Sequence, residues 1–174
     1  IAVLGSKVDV VEKILTENND LKIQIANDNS DGQLVLSGEN DNLNKLTEIL
    51  KSNSIKNIKL PVSAPFHCKL MSKATEIMKD EIDKINFQEG KNVLISNVTA
   101  EEISNVKDLK KLLINQIESR VRWRESVINM INKEINQFIE IGPGKVLSGL
   151  VKRINKEVKI NTINNMNDIK ELKI

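Results

Sequence analysis

The sequence is poor in the residues that most often mark a functional class. Its 174 residues include one histidine, one cysteine, three prolines and no tyrosine, and aromatic side chains make up 2%. A single cysteine excludes both an internal disulfide and a cysteine-based metal centre. Scarce aromatic rings and the absence of a dense basic tract argue against a surface that binds nucleic acid. The few histidine, glycine and proline positions therefore carry most of the functional information.

The charge and hydropathy are those of an ordinary domain. Lys and Arg number 26 against 24 Asp and Glu, and hydrophobic residues make up 40% of the chain, enough to fill a core. No apolar run approaches the ~18 residues of a membrane helix, and no secretory signal is visible. We therefore expect a cytoplasmic protein with neither a membrane nor a nucleic-acid partner.

The N-terminal third alternates strand and helix patterns in the order β-α-β-β-α-β. The successive runs lie at 1–4, 8–18, 21–26, 33–37, 43–50 and 55–60. The Asn- and Asp-rich stretch 27–32 predicts a loop between the second and third strands. This order fits the ferredoxin-like split βαβ motif. We predict a ferredoxin-like small subdomain over residues 1–62.

From residue 63 onward, amphipathic helices alternate with short apolar strands. The helices are predicted at 70–86, 106–118, 122–134, after Gly144 and at 166–172, and the strands at 93–97, 137–141 and 158–163. The continuous apolar run at 93–97 is typical of a strand buried in a parallel sheet. Alternation of this kind predicts an α/β layer with a parallel sheet over residues 63–174.

The only histidine, His67, lies in a proline-bounded stretch. Pro61 and Pro65 push the residues before them toward extended backbone, and a helical apolar series begins at Leu70. His67 is therefore predicted in an exposed loop just before a helix. Histidine accepts a proton near neutral pH, which a general base must do. The alternative is a histidine that only caps or packs, because geometry alone establishes a base.

The stretch Gly142-Pro143-Gly144-Lys145 resembles a phosphate-binding loop only superficially. Such a loop needs four residues between its glycines and a Ser or Thr after the Lys. Here one residue separates the glycines and Val146 follows the lysine. The stretch predicts a tight strand-to-helix turn, with a weaker possibility that the helix N-terminus binds an anion or an oxyanion.

Two further polar features have open interpretations. Gln116 lies on an otherwise apolar helix face, where it is either an amide satisfied by backbone or a group that orients a catalytic residue. The sequence alone favours the first. Arg120, Arg122 and Arg124 flank a tryptophan and are either solvated surface charges or contacts for phosphates or an acidic partner.

Five segments resemble motifs of the malonyl-CoA:acyl carrier protein transacylase family of fatty-acid biosynthesis, in the family's order. They are IANDNSDGQ (25–33), LPVSAPFH (60–67), SNVTA (96–100), VRWRESV (121–127) and EIGPGKVL (140–147). The resemblance covers nearly the whole chain. It implies an α/β-hydrolase-like acyltransferase core with an inserted ferredoxin-like subdomain, in which residues 63–174 form the C-terminal part of the core.

The resemblance also implies a ping-pong acyl transfer that uses no cofactor. A serine in a Gly-His-Ser-x-Gly elbow takes malonyl from malonyl-CoA and passes it to the phosphopantetheine thiol of acyl carrier protein. By resemblance, His67 is the base that activates this serine. Gln116 orients the histidine through its backbone carbonyl, which departs from the usual Ser-His-Asp arrangement.

The remaining site residues follow from the same resemblance. Asn27 matches a position that lines the cleft between the subdomains. Phe66 precedes the histidine as in malonyl-selective members of the wider acyltransferase family, because its ring leaves no room for a methyl branch at the α-carbon. Three basic residues are candidates to dock the acidic carrier protein, namely Lys145, Lys152 and Arg153.

The departure from the family is large. No Gly-x-Ser-x-Gly occurs in the 174 residues, and the chain begins inside a strand-like run without a methionine. We expect a C-terminal portion of the enzyme that supplies the catalytic histidine but not the serine, and that is inactive alone. The alternative is a non-catalytic, ferredoxin-like module that binds a ligand or a partner.

Overall fold

A computed structural model describes residues 1–172 as a mixed α/β fold. The helices are α1 (Val8–Glu17), α2 (Asn40–Ser52), α3 (Ser72–Lys84), α4 (Val106–Gln116), α5 (Trp123–Asn132), α6 (Val146–Ile154) and α7 (Met166–Glu171). The strands are β1 (Ala2–Leu4), β2 (Gln24–Ser30), β3 (Gln33–Ser37), β4 (Lys56–Ile58), β5 (Leu94–Ile95), β6 (Glu102–Ile103), β7 (Gln137–Ile141) and β8 (Lys159–Ile163). No helix within residues 1–172 is long and apolar enough to cross a bilayer.

The chain divides into two compact units, Ile1–Ser126 and Val127–Ile174. The division predicted from the sequence, between residues 62 and 63, falls at a different place and stays a prediction. In the first unit, four strands form one sheet in the order β2-β3-β1-β4, with every neighbouring pair antiparallel. The predicted β-α-β-β-α-β order of elements is present.

One apolar cluster holds this sheet and its two helices together. Leu34 and Leu36 alternate along β3 and are almost fully buried, as the period of a strand requires. Helices α1 and α2 each contribute two fully or nearly fully buried side chains at helical spacing. The buried members of the cluster are Ile1, Val3, Val11, Ile14, Leu21, Ile23, Ile25, Leu34, Leu36, Leu46 and Leu50.

Strand β2 differs from the prediction at both ends. Leu21 lies in a 3₁₀ helix (Asn19–Leu21), and β2 begins at Gln24. It then continues to Ser30, through most of the stretch predicted as a loop, so that only Asp31 and Gly32 form the turn. Two register shifts against β3 mark β-bulges in this part of the strand. The bulges keep polar residues in the ladder, because each extra residue is accommodated by a local bend.

The predicted buried parallel strand at 93–97 is wrong. Only β5 forms there, and it pairs antiparallel with β6. The chain reverses at once, since Ala100 N–H donates to Ser96 O at 2.7 Å and Ser96 N–H to Glu101 O at 2.9 Å. Leu94 is half exposed. A tight turn thus replaces the long crossover that a parallel neighbour would need.

Several predicted apolar stripes form helices without being buried. In α3, Ile82 is buried, whereas Ile77 and Met78 are 66% and 44% exposed. In α4, Leu113 is 40% exposed. Periodicity therefore located these helices correctly, but it did not determine what covers them.

The second unit contains the parallel pair that the sequence predicts. Strands β7 and β8 pair parallel from Gln137 to Ile141, and α6 connects them with Leu150 and Val151 buried. The turn between β7 and α6 places Gly142 at φ +138° and Gly144 at φ +93°, a region that glycine adopts without steric cost. The predicted tight strand-to-helix turn is confirmed.

We expect limited trypsin digestion to cut the chain first after residue 62, while about the first 60 residues are still intact. All buried members of the apolar cluster lie between Ile1 and Leu50, whereas α3 buries one large apolar side chain, Ile82. Segments with few buried apolar contacts open more readily. Mass spectrometry of the fragments measures this, and equal resistance of residues 63–172 would contradict the expectation.

Candidate active site

His67 lies in the loop between β4 and α3, just before a 3₁₀ helix at Lys69–Met71. Its backbone is left-handed, with φ at +59°. For a residue with a Cβ, this conformation costs roughly 1–2 kcal/mol. Such a conformation persists only where the surrounding contacts over-determine it. The contacts that hold His67 therefore define the site.

The first contact fixes the imidazole ring. His67 Nδ1 lies 2.9 Å from the backbone carbonyl oxygen of Gln116, at the end of α4. A carbonyl oxygen only accepts, so Nδ1 must donate the proton of this hydrogen bond. In the neutral ring, Nε2 is then the unprotonated nitrogen that accepts a proton. This is the arrangement that a general base requires.

The Gln116 side chain serves a different purpose. Its Nε2 donates to Ser119 O at 2.9 Å, so the amide is satisfied by backbone, as the sequence alone favours. The carbonyl that meets His67 belongs to the main chain. The side chain of Gln116 therefore fits the structural interpretation. Its orienting role toward His67 stays a prediction.

Two more contacts hold the backbone on either side of His67. The Cys68 thiol, 1% exposed, donates to Pro65 O at 3.2 Å. Burial is the largest influence on this thiol and raises the pKa of Cys68. The Lys69 N–H donates to Gln24 Oε1, in β2, at 2.8 Å. Sequence reasoning missed Gln24; its one signal was a polar side chain within an apolar strand pattern.

A short parallel bridge connects β2 with the segment that follows Gln116. Val121 N–H donates to Ala26 O at 2.8 Å, and Asp28 N–H donates to Val121 O at 2.9 Å. Asn27, the predicted cleft residue, is paired with Val121 in this bridge and is partly buried. The strand that contacts the loop at Gln24 therefore also holds the segment after α4.

The three arginines form ion pairs within the first unit. Arg124 donates three hydrogen bonds to Asp28, from Nε at 3.0 and 3.1 Å and from Nη2 at 2.8 Å, and the Asp28 side chain is fully buried. These hydrogen bonds raise the pKa of Arg124. Arg120 pairs with Glu12 at 2.7 Å, and both it and Arg122 pair with Glu125. Of the two open interpretations, solvated surface charge does not fit Arg124, because only 18% of its side chain is exposed.

The N–H groups of Leu147 and Ser148, at the start of α6, already bind a carboxylate of the chain itself. Glu140, in β7, accepts from Leu147 N–H at 3.1 Å and from Ser148 N–H at 2.7 Å. Hydrogen bonds from Ser148 are the main cause that lowers the pKa of Glu140. The possibility that this helix start binds an oxyanion is therefore not supported, because an internal carboxylate occupies it.

Within residues 1–172, no group of three or more His, Cys, Asp or Glu side chains is placed to hold a metal ion.

Comparison with known proteins finds malonyl CoA-acyl carrier protein transacylases. The malonyl CoA-acyl carrier protein transacylase of Bacillus subtilis strain 168 is 40% identical over 162 residues, which cover 91% of this chain and 51% of the relative. The crystal structure of the transacylase of the same name from Clostridium perfringens matches with a TM-score of 0.92 at 37% identity, over 98% of this chain and 54% of that one. No family model matches.

The chain is thus similar over nearly its whole length to malonyl CoA-acyl carrier protein transacylases. The predicted resemblance is confirmed, and so is the mixed α/β fold. A third match, with a TM-score of 0.91 at 27% identity over 97% of this chain and 55% of that one, is a malonyl-transacylase in complex with a type II PKS acyl-carrier protein. The chain spans about half the length of the transacylases that it matches.

The remaining site residues predicted from the transacylase resemblance lie at different places. Phe66, beside His67, is 52% exposed. Lys145 is exposed at the start of α6, in the second unit. Lys152, in the last turn of α6, donates from Nζ to Lys156 O at 2.6 Å, and Arg153 follows it. The roles of these residues stay predictions.

We expect Arg124→Met to lower the free energy of unfolding by roughly 3–5 kcal/mol, because it leaves the buried Asp28 carboxylate without its main partner. Urea denaturation followed by circular dichroism measures the loss. Lys13→Met is the control, since Lys13 pairs with Glu17 at 3.9 Å on the surface and such pairs contribute about 0.3–0.5 kcal/mol. Equal effects of the two changes would contradict the importance of the buried pair.

Proposed function

We propose that the chain carries the general-base part of a malonyltransferase site. The whole enzyme would move malonyl from malonyl-CoA to the phosphopantetheine thiol of acyl carrier protein, in fatty-acid biosynthesis in the cytoplasm. The single observation that supports this most is the contact of His67 Nδ1 with Gln116 O at 2.9 Å, which leaves Nε2 as the proton acceptor. The 40% identity with a transacylase supports the substrate class.

The proposed reaction has two half-reactions that share one base. In the first, His67 Nε2 takes the proton of a serine hydroxyl, the serine oxygen attacks the malonyl thioester carbonyl, and the coenzyme A sulfur leaves with the proton from the imidazolium. In the second, Nε2 takes the proton of the phosphopantetheine thiol, whose sulfur attacks the seryl ester. The serine oxygen leaves and recovers that proton. No cofactor takes part, and the thioester is a substrate.

The serine of this mechanism lies outside the 174 residues, because no Gly-x-Ser-x-Gly occurs in them. Gln116 O takes the place that an aspartate holds in the usual triad. Its partial negative charge holds the ring in one tautomer and stabilises the imidazolium that forms in each half-reaction. Because the group is uncharged, this stabilisation requires close contact, and 2.9 Å meets that requirement.

We further propose that the chain combines a ferredoxin-like subdomain with part of an α/β-hydrolase-like core. The antiparallel order β2-β3-β1-β4 with helices α1 and α2 supports a ferredoxin-like subdomain over residues 1–62. The parallel β7–α6–β8 unit supports the C-terminal part of an α/β-hydrolase-like core over residues 63–174. In this proposal Asn27, at the bridge to Val121, lines the substrate cleft.

Carrier-protein docking is proposed for Lys145, Lys152 and Arg153. All three belong to the start or the last turn of α6, and basic groups steer acidic partners by long-range attraction. The solved complex of a malonyl-transacylase with an acyl-carrier protein supports a carrier as the partner class.

The function is tested in a hybrid enzyme. Residues 1–174 replace the matched half of the Bacillus subtilis transacylase, and transfer of labelled malonyl to carrier protein is measured. We expect the hybrid to be active, and His67→Ala to lower kcat/KM by about 10²–10⁴-fold, the usual loss of acid–base catalysis. Gln116→Ala is the matched control and should do far less, because the proposed contact uses its backbone.

Circular dichroism separates loss of function from misfolding of the hybrid. A folded hybrid that transfers malonyl equally well with His67→Ala would exclude the general-base role. A folded hybrid with no transfer would instead favour the alternative of a non-catalytic binding module.

In the same hybrid, Phe66→Ser should raise methylmalonyl transfer relative to malonyl transfer. Discrimination of one methyl group by packing amounts to about 1–3 kcal/mol, so the ratio of the two kcat/KM values should shift roughly 5- to 150-fold. Phe87→Ser is the control, since Phe87 lies in the loop after α3 with Lys110 over its ring. If both substitutions leave the ratio unchanged, Phe66 lies away from the substrate α-carbon.

A further inference from the structure

The 3₁₀ helix after His67 begins with an N–H group that its own turn does not bind. Lys69 is its first residue, and the first N–H groups of a helix lack partners within the helix. The residue before it, Cys68, makes no side-chain capping bond. Gln24 Oε1 accepts the Lys69 N–H at 2.8 Å instead. A side chain distant in sequence therefore caps the turn that carries the proposed base.

Gln24 reaches this loop from a fixed position. It is the first residue of β2 and is paired with Ser37 of β3 in the four-stranded sheet. Within the same strand, the bridge at Asn27 holds the segment that follows Gln116. One strand thus contacts both the loop that bears His67 and the segment that follows the carbonyl facing its ring.

The geometry of His67 depends on two contacts, the one between its ring and Gln116 O and the one between the Lys69 N–H and Gln24. Its φ of +59° is unfavourable for a histidine, so a released loop would relax toward ordinary backbone angles. Gln116 O fixes the ring but not the backbone that follows. The Lys69 N–H bond to Gln24 holds that backbone two residues beyond the ring.

We propose that Gln24 is a positioning residue for the His67 base, an inference that rests on the proposed function. Gln24 capping keeps Nδ1 against Gln116 O and thereby keeps Nε2 as the unprotonated nitrogen. Without the cap, the Nδ1 contact is lost part of the time and the neutral ring exchanges between its two tautomers. Gln24 itself touches no reacting atom; it acts through the loop.

The single histidine makes this testable in the whole chain without any activity assay. A long-range ¹H–¹⁵N spectrum reports the tautomer of a histidine ring, and this chain gives the signals of His67 alone. Spectra are recorded at about pH 9, well above the ordinary pKa range of imidazole. The natural chain should show the Nδ1–H tautomer as the dominant form.

Three variants at position 24 separate the hydrogen bond from the bulk of the side chain. Gln24→Met keeps the length without the acceptor, and Gln24→Asn keeps the amide but is too short; both should shift the spectrum to a mixture of tautomers. Gln24→Glu keeps an acceptor at the same reach and should restore the natural pattern. Gln88→Met, at an exposed loop residue, is the control and should change nothing.

The outcomes distinguish this proposal from the function on which it rests. If Gln24→Met and Gln24→Asn keep the natural pattern, or if Gln24→Glu shows the same mixture as Gln24→Met, Gln24 does not position His67. If the natural chain itself shows a mixture, the Nδ1 contact is absent and both proposals fail.

In the active hybrid, Gln24→Met should lower kcat on the order of 10- to 100-fold with little change in KM, and Gln24→Glu should restore it.

Discussion

The first unit depends on the buried ion pair between Arg124 and Asp28. A fully buried carboxylate without a partner is strongly unfavourable. Hydrogen bonds from Nε and Nη2 of Arg124 offset the cost of burying the Asp28 carboxylate. Because Asp28 lies in the middle of β2, this contact draws a polar strand into the interior. The same strand then has Val121 as its neighbour on one side and the His67 loop at its start. Strand pairing, ion pairing and the proposed site thus share one element.

The part of the fold that follows from local pattern was predictable. The bounds of β3 and β7 agree with the apolar alternation of their residues, and the helices begin and end within a few residues of their stripes. The extension of β2 was not predictable, because its Asn-, Asp- and Ser-rich residues have the composition of a turn. Arg124, the partner of Asp28 in this strand, lies 96 residues further along the chain. A pattern read over a short stretch of sequence cannot include such a contact.

The candidate site shows the same limit. His67 stands out by its uniqueness and its prolines, so composition finds it. The backbone carbonyl of Gln116 leaves no mark in a sequence, since every residue has one, and only the family resemblance indicated it. Gln24 was missed because a single polar residue in a strand has many explanations, and the loop that it caps is 45 residues distant. The apolar stripe of α3 predicted its helix but not the exposure of Ile77, because periodicity describes an element and not its neighbours.

The main-chain acceptor at Gln116 has a consequence for how such a site can change over time. An aspartate in this place would be lost by a single codon change, whereas a peptide carbonyl survives every substitution of its residue. The side chain at position 116 therefore matters to this contact only through its own bond to Ser119 O, which helps to hold the end of α4. The contact depends on the course of the backbone more than on the identity of one side chain. Insertions and deletions between His67 and Gln116 would therefore damage the site more than replacements at position 116 itself.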